Sequence, residues 1–325
     1  MDKIWKHSYN DTFYNYELCE LKNDNGTLII GDSTQESKNA CIQRINKNGR
    51  FSYAGKSSNQ IVNINVFNDL NYGHFITELN LEQNRIIDIS PISNLTNLTK
   101  LNMYHNRTLE NIEPLTNLKK LNTLNLNKCN ITNIQPLSNL VELSDLKLSS
   151  NNINNVDPLK NLSKLNTLIL NNNKIKNIEP LRELINLKEL NLSTNIITDI
   201  SPLKDLTKLE YLWLTGNPIR IIVDLHNLYN LTQINLENTC VMKDNIEQFR
   251  QAINNNTSRP TIKNPITISW SNNCDTNTQT IVPTLDTIQP IPTPISGIST
   301  TSLATSPAST SASTTTPFAS TLDAT

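Results

Sequence analysis

The chain has 325 residues, which is long enough for two ordinary domains. Its 28 lysines and arginines nearly balance its 29 aspartates and glutamates, and the net charge of -1 argues against a polyanionic partner such as nucleic acid. No run of about 18 apolar residues occurs, and the first 20 residues hold no apolar run of signal-peptide length, so we expect a cytoplasmic protein without a membrane segment.

Residues 1–50 do not share the pattern of the rest of the chain and are predicted to cap it. Segments 12–21 and 27–30, on either side of a turn at 22–26, are typical of a β-hairpin. A hairpin here would cover the apolar end that any terminal repeat leaves open. A separate binding activity of this segment is the alternative.

The centre of the chain repeats a 22-residue unit, and a fixed period of this length indicates a solenoid. Each unit opens with L-x-x-L-x-L, whose last two leucines alternate with polar residues, so each unit is predicted to begin with a short half-buried strand. We assign about eight coils to residues 51–242, beginning with a degenerate half-repeat at residue 59. One residue inserted at 107–109 predicts a bulge. Unit starts spaced by 22 residues are Leu121, Leu143, Leu165, Leu187, Leu209 and Leu231.

A column of small polar residues follows the strand of each coil. Such side chains can satisfy backbone groups of their own and the adjacent coil, which would otherwise be buried without partners. We interpret the cysteine in this column as a packed, inert thiol. The column consists of Asn84, Asn106, Cys129, Asn151, Asn173, Asn195, Asn217 and Thr239.

The second half of the unit, I-x-x-I-x-P-L-x-x-L, is predicted to return the chain along the opposite side. About a dozen residues are too few for a full helix, so turns and short 3₁₀ segments must form this path. Proline removes a backbone donor that no sheet ladder uses there. The prolines are Pro91, Pro114, Pro136, Pro158, Pro180 and Pro202.

These motifs resemble the leucine-rich repeat family, and within it the 22-residue class of the type-1 protein phosphatase regulatory subunit and the bacterial internalins. The resemblance covers residues 59–241. It implies an α/β-type solenoid that is mainly β, a horseshoe or arc with a parallel concave β-sheet and short 3₁₀ turns on the convex side. It implies binding rather than one particular function, because many unrelated proteins use such repeats.

Residues 243–270 are predicted to close the C-terminal end of the core. Asp244 and Glu247 suggest a capping box, and Ile246, Phe249 and Ile253 share one face of a helix predicted at 244–253. Residues 271–325 are rich in serine, threonine and proline and have too few large apolar residues for a core. We predict that they form a disordered tail.

The sequence contains no recognisable catalytic or metal-binding motif. The four histidines lack metal-ligand spacing, and neither a phosphate-binding glycine loop nor a nucleophile elbow occurs. The five cysteines have wide, irregular spacing, which we interpret as free thiols in a reducing compartment. We therefore predict no enzymatic activity, no cofactor and no metal.

Outward-facing residues of the predicted concave sheet are the candidates for binding. Tyr211 and Trp213 would form the principal anchor, because aromatic residues supply most of the binding free energy at interfaces. Packing of Trp213 within the C-terminal cap is the alternative. The remaining candidates are Ile169 as an apolar contact, Tyr104 and His105 as a weaker anchor, and Glu189, Lys147 and Asp145 as charge selectors.

The sequence therefore predicts a cytoplasmic, monomeric, non-catalytic scaffold that binds a protein partner on the concave face of its repeats. Its rigid surface would lose little entropy on binding. Two alternatives remain open at this stage. The first is a regulatory subunit of a type-1 protein phosphatase, and the second is an exported internalin-like adhesin.

Overall fold

The computed structural model describes residues 21–24, 27–30, 50–52, 61–68, 76–255, 266–272 and 274. Within these residues, ten strands pair in parallel in one open sheet, and each strand lies beside the next one along the chain. The predicted fold class is confirmed. The strands are β3 Arg50–Ser52, β4 Glu78–Asn80, β5 Lys100–Asn102, β6 Thr123–Asn125, β7 Asp145–Lys147, β8 Thr167–Ile169, β9 Glu189–Asn191, β10 Tyr211–Trp213, β11 Gln233–Thr239 and β12 Thr267–Asn272.

The repeated leucines and isoleucines form a single hydrophobic core between the sheet and the return path. The central residue of each strand from β4 to β10 is a leucine with no more than 2% of its surface exposed, as at Leu79 and Leu212. Burying one such side chain contributes about 1.5–3 kcal/mol. Because each coil buries its leucines against its neighbours, the stability comes from stacking.

The polar column makes the hydrogen bonds expected of it. Asn195 is typical: its Nδ2 donates to the carbonyls of Leu170 (3.1 Å) and Leu192 (2.9 Å), and its Oδ1 accepts from the Ile175 N–H (3.0 Å). One side chain thus satisfies three backbone groups in two coils and joins the coils together.

The cysteine in this column is explained by the inserted residue. In the lengthened coil the Leu109 N–H donates to the carbonyl of Asn106 (3.0 Å), so this amide needs no side-chain acceptor from the next coil. Cys129 has only to donate its thiol to the carbonyl of Met103 (3.5 Å). It is buried, and its burial raises the pKa of the thiol to about 12.

Short 3₁₀ helices form the return path, and all of those given below except Val223–Asn227 start after a turn that was not predicted from the sequence. Within the described coils from residue 63 to 201, a carboxamide or carboxylate oxygen accepts the N–H two residues later, as Asn177 does from Glu179 (2.9 Å). The oxygens belong to Asn63, Asp88, Asn111, Asn133, Asn155, Asn177 and Asp199. The 3₁₀ helices are Asn65–Phe67, Ser90–Ile92, Glu113–Leu115, Gln135–Leu137, Asp157–Leu159, Glu179–Glu183, Ser201–Leu203 and Val223–Asn227.

One residue in each coil adopts a left-handed conformation immediately before the polar column. Only Gly216 in this column is a glycine, and Thr194 (φ 54°) is the residue least suited to the position, because its β-branched side chain disfavours positive φ. The column consists of Gln83, His105, Lys128, Ser150, Asn172, Thr194, Gly216 and Asn238.

The N-terminal hairpin forms with a shorter turn than predicted. Strands β1 (Leu21–Asp24) and β2 (Thr27–Ile30) pair in antiparallel fashion, with Asp24 opposite Thr27. The prediction of a turn at 22–26 was therefore wrong at 22–24, where backbone pairing extends the strand. Residues 12–20 lie outside the described residues. The parallel sheet also begins earlier than the repeat pattern suggests, since β3 pairs with β4 and places Phe51 beside Leu79.

At the C-terminal end, helix α1 (Lys243–Asn254) buries Ile246, Phe249 and Ile253. The predicted capping box was wrong: Met242 occupies the N-cap position, and no side chain caps the helix. Strand β12 was not predicted from the sequence. It pairs in parallel with β11, and its last residue, Asn272, belongs to the segment predicted as a disordered tail. Residues 275–325 of that tail lie outside the described residues.

The prediction that all cysteines are free thiols was wrong. Cys240, next to the end of β11, forms a disulfide bond with Cys274, whose Cα lies 5.1 Å away. The partners are 34 residues apart in the sequence and meet because β12 returns to the sheet beside β11. Cys19 and Cys41 lie outside the described residues.

Candidate protein-binding face

The sheet presents one outward surface, here called the sheet face. It consists of the first and third residues of the short strands, because the central residue of each strand points into the core. Strand register aligns these residues in two rows. The first row contains Glu78, Lys100, Thr123, Asp145, Thr167, Glu189, Tyr211 and Gln233, and the second contains Asn80, Asn102, Asn125, Lys147, Ile169, Asn191, Trp213 and Asn235.

Asparagines in the second row have a structural role. In five strands the Oδ1 of this residue accepts a hydrogen bond from the backbone N–H two residues later, as Asn191 does from Ser193 (3.0 Å). Lys147, Ile169 and Trp213 occupy the same position in the other three strands and have no such acceptor. The five asparagines are Asn80, Asn102, Asn125, Asn191 and Asn235.

Tyr211 and Trp213 lie side by side on β10. Their ring centroids are 5.9 Å apart, with an angle of 11° between the ring planes. Tyr211 is 40% exposed, and Trp213 is half-buried. Each strand neighbour is polar: Glu189 and Asn191 on β9, and Gln233 and Asn235 on β11. The two rings are therefore an aromatic pair in polar surroundings.

Ile169 does not extend this aromatic pair into a continuous apolar patch. It is half-buried and shares the second row with Trp213, but Asn191 lies between them. Two strand spacings of about 4.8 Å separate them, or nearly 10 Å. A partner that contacts both residues must reach across the asparagine.

The charged candidates differ in whether they already have a partner. Lys147 Nζ lies 3.5 Å from Asp145 Oδ2, so these two residues form an ion pair within one strand. Asp145 Oδ1 is buried and accepts no hydrogen bond from the described residues. Glu189 makes no ion pair with any of the described residues. It is therefore the candidate whose charge is most available to a partner.

Tyr104 and His105 lie beyond the end of β5 and not within it. His105 has a left-handed backbone conformation (φ 61°), so its placement among outward strand residues was wrong. The two rings are 5.7 Å apart and tilted by 41°. Lys128, which the sequence analysis did not select, places Nζ 5.5 Å from the Tyr104 ring centroid. Lys128 and His105 occupy the same column of consecutive coils. The repeat alignment could therefore have identified Lys128 as a neighbour of the Tyr104 and His105 rings.

Arg107 also lies beside these rings, just beyond the end of β5. Its Nε donates to His105 Nε2 at 2.7 Å, which requires this imidazole nitrogen to be unprotonated. Desolvation and the positive charges of Arg107 and Lys128 lower the pKa of His105 below its usual value. The predicted weaker anchor, Tyr104 with His105, therefore lies next to two cations, Arg107 and Lys128.

The described residues include no helix long and apolar enough to cross a membrane. They also contain no group of three or more histidine, cysteine or acidic side chains arranged to hold a metal ion.

A family model described as leucine-rich repeats (2 copies) matches residues 76–117 and 163–205. A solved internalin (inlF) of Listeria monocytogenes is 29% identical, with a TM-score of 0.60 over 72% of this chain and 65% of that one. An internalin C2 (inlC2) of the same organism is 31% identical, with a TM-score of 0.56 over 59% of this chain and 82% of that one. No curated protein sequence matches significantly.

The chain belongs to the leucine-rich repeat proteins, a class that consists in general of non-catalytic scaffolds for protein binding. It is similar to internalins, and it spans less than two thirds of the length of the first. Many unrelated proteins use leucine-rich repeats, so the fold by itself does not identify a partner.

Proposed function

We propose that this protein is a non-catalytic scaffold that binds a protein partner on the sheet face, with Tyr211 and Trp213 as the anchor. One observation carries the proposal. Trp213 occupies a position where five other strands have an asparagine that accepts a backbone hydrogen bond. Such a bond contributes about 1 kcal/mol to stability. A residue that gives up this bond and exposes aromatic surface is better explained by binding than by folding.

The surroundings of the aromatic pair suit an anchor. The strand that carries it is paired on both sides, so the backbone is held in place before a partner arrives. The rings are nearly parallel, with centroids 5.9 Å apart, which is within the range of favourable aromatic pairs. A preorganised surface loses little conformational entropy on binding, so a small number of buried contacts is sufficient.

The test replaces the anchor with the residues of a neighbouring strand. Tyr211→Thr with Trp213→Asn turns the sequence of β10 into the Thr-Leu-Asn of β6. Wild type and variant are used for affinity capture from native extract, and the binding of each captured protein is then measured with purified components. Val141→Ala with Ile185→Ala is the matched control, since it truncates two exposed apolar residues outside the strands (45% and 54% exposed).

We expect a partner that binds wild type and control but whose affinity for the β10 variant falls about 30-fold or more, as for an interface hot spot. We also expect the variant to be at least as stable as wild type, because the introduced asparagine can accept the Thr215 N–H. A variant that loses stability would support the alternative that Trp213 packs within the cap. Equal binding by all three proteins would refute the anchor.

An exported, internalin-like adhesin is the second candidate, and the disulfide bond favours it. Disulfides persist in oxidising compartments and are rare in the cytosol. The Cys240–Cys274 bond therefore supports a location outside the reducing cytoplasm, in place of the cytoplasmic location expected from the sequence. Acid quenching and thiol alkylation of the native cells, followed by mass spectrometry, tests this point. A linked Cys240–Cys274 peptide is expected, and two alkylated cysteines would favour the cytoplasm.

A further inference from the structure

We propose that the aromatic pair and Glu189 together bind an arginine side chain of the protein partner. This inference rests on the proposed function, because it names the chemical group that the anchor recognises. It depends on three features of the structure: an unpaired carboxylate, its register with the aromatic pair, and the sign of the charge around them.

Glu189 is the first of these features. The other acidic residues of the first row are neutralised, since Glu78 lies 2.9 Å from Lys100 and Asp145 lies 3.5 Å from Lys147. Within the described part of the chain, no lysine or arginine nitrogen lies within 4.0 Å of the Glu189 carboxylate, not even that of the preceding Lys188. Glu189 can therefore pair with a cation from outside.

Strand register places this carboxylate beside the aromatic pair. Glu189 is directly opposite Tyr211, on adjacent strands about 4.8 Å apart. A cationic group lying over the Tyr211 ring can therefore reach the carboxylate. Ring faces attract cations through their quadrupole, and the attraction is strongest for Trp. Carboxylate and rings thus favour the same kind of ligand.

The surrounding charge also favours a cation. Among the sheet-face residues of β8 to β11 there is no lysine or arginine, and the amides of Asn191, Gln233 and Asn235 are neutral. Another carboxylate, on Glu237, is exposed on the neighbouring strand β11. The nearest sheet-face cation is Lys147, on β7, and it is already paired with Asp145.

Arginine fits this arrangement better than lysine. A guanidinium group is planar, so it can stack on an aromatic ring and present its edge to a carboxylate at the same time. It is also more weakly hydrated than an ammonium group, so its transfer to a partly buried surface costs less. A partner segment that carries an exposed arginine therefore matches the rings and the carboxylate together.

The test uses Nα-acetyl-arginine methylamide as the probe and the citrulline analogue, a neutral molecule of the same shape, as its control. Binding is followed by NMR through the indole Nε1–H signal of Trp213, which a Trp213→Asn variant identifies. Glu189→Gln removes the charge while keeping the size of the side chain. Glu183→Gln removes the same charge from an exposed residue of a 3₁₀ helix on the return path and is the matched protein control.

We expect saturable shifts of the Trp213 signal with the arginine probe and none with citrulline. Glu189→Gln should lower the affinity for the arginine probe roughly three- to fivefold, as expected for a partly exposed ion pair. Glu183→Gln should leave its affinity unchanged. Citrulline that binds as well as arginine, or equal losses in the two variants, would overturn the inference. Because the probe needs no partner, partner binding that depends on β10 without any arginine binding would refute this inference and leave the proposed function standing.

Discussion

His105 shows how a single residue takes its properties from the coils around it. It has a left-handed backbone conformation just beyond the end of β5, Arg107 donates a hydrogen bond to its imidazole, and Lys128 lies close to the adjacent Tyr104. Burial and two nearby cations act in the same direction, and both disfavour the charged form of the ring. The surroundings of His105 therefore favour the neutral form of its imidazole.

The first prediction concerns the titration of His105. Its pKa is lower in the folded protein than in the unfolded chain, where it is about 6.5. The unfolded state therefore binds more protons as the pH falls below 6.5, so the contribution of His105 to stability is present above this pH and is lost below it. Arg107→Gln should raise the pKa of His105 towards its ordinary value, because it removes a nearby positive charge.

An NMR titration of the His105 imidazole signals measures this pKa. Arg220→Gln, which removes a positive charge elsewhere, is the control and should leave His105 unchanged. A folded-state pKa of His105 at or above 6.5 would contradict the expectation that desolvation, Arg107 and Lys128 lower it.

At the scale of the repeat element, the polar column joins each coil to the next. Its asparagines accept from one coil and donate to carbonyls in both. Buried backbone groups that lose their partners cost about 1–3 kcal/mol each. The column therefore contributes to stability through the partners it satisfies, and this contribution differs between an asparagine and the cysteine.

The second prediction compares two truncations in this column. Asn195→Ala leaves the Ile175 N–H and the carbonyls of Leu170 and Leu192 without their side-chain partner, so we expect a loss of about 3 kcal/mol or more in the free energy of unfolding. Cys129→Ala removes only the weak thiol hydrogen bonds to the carbonyls of Met103 (3.5 Å) and Asn127 (3.9 Å), together with a buried sulfur. The Cys129→Ala variant should lose about 1 kcal/mol in the free energy of unfolding. Urea unfolding followed by circular dichroism measures both, and equal losses would show that the column acts by packing alone.

At the scale of the whole molecule, the ends of a solenoid need separate solutions, because no further coil covers them. The C-terminal end uses helix α1, strand β12 and the disulfide bond. Trp270 of β12 donates its indole N–H to the carbonyl of Val241 (2.8 Å), and the adjacent Cys240 is linked to Cys274. The cap is thus held by one covalent bond and by backbone pairing to β11.

The third prediction concerns this covalent bond. Cys240→Ser with Cys274→Ser removes a cross-link between residues 34 apart in the sequence, which should lower the free energy of unfolding by about 2–4 kcal/mol. Thermal unfolding with and without dithiothreitol measures the effect. The reductant should lower the Tm of the wild type to that of the variant and should not affect the variant itself. An equal decrease in both proteins would show that the cross-link does not hold the cap.

Much of this architecture could be predicted because local, periodic positions specify it. The period of 22, the leucine pairs and the polar residue after each strand recur in every coil, and each has one physical purpose wherever it occurs. The same logic identified Tyr211 and Trp213, since an aromatic residue on a polar strand stands out against its neighbours. The asparagine row could have strengthened that choice, because it shows what Trp213 replaces.

Tertiary structure decided the features that have no repeat to predict them. The Cys240–Cys274 bond depends on β12, whose pairing with β11 brings together residues with no pattern between them. Register determined which charges meet across strands, pairing Glu78 with Lys100 while leaving Glu189 available beside Tyr211. Lengthening one coil by a residue changed the hydrogen bonds that position 129 must make. The disulfide bond and the Glu78–Lys100 ion pair join residues of different strands, and the repeated pattern does not specify which side chains meet there.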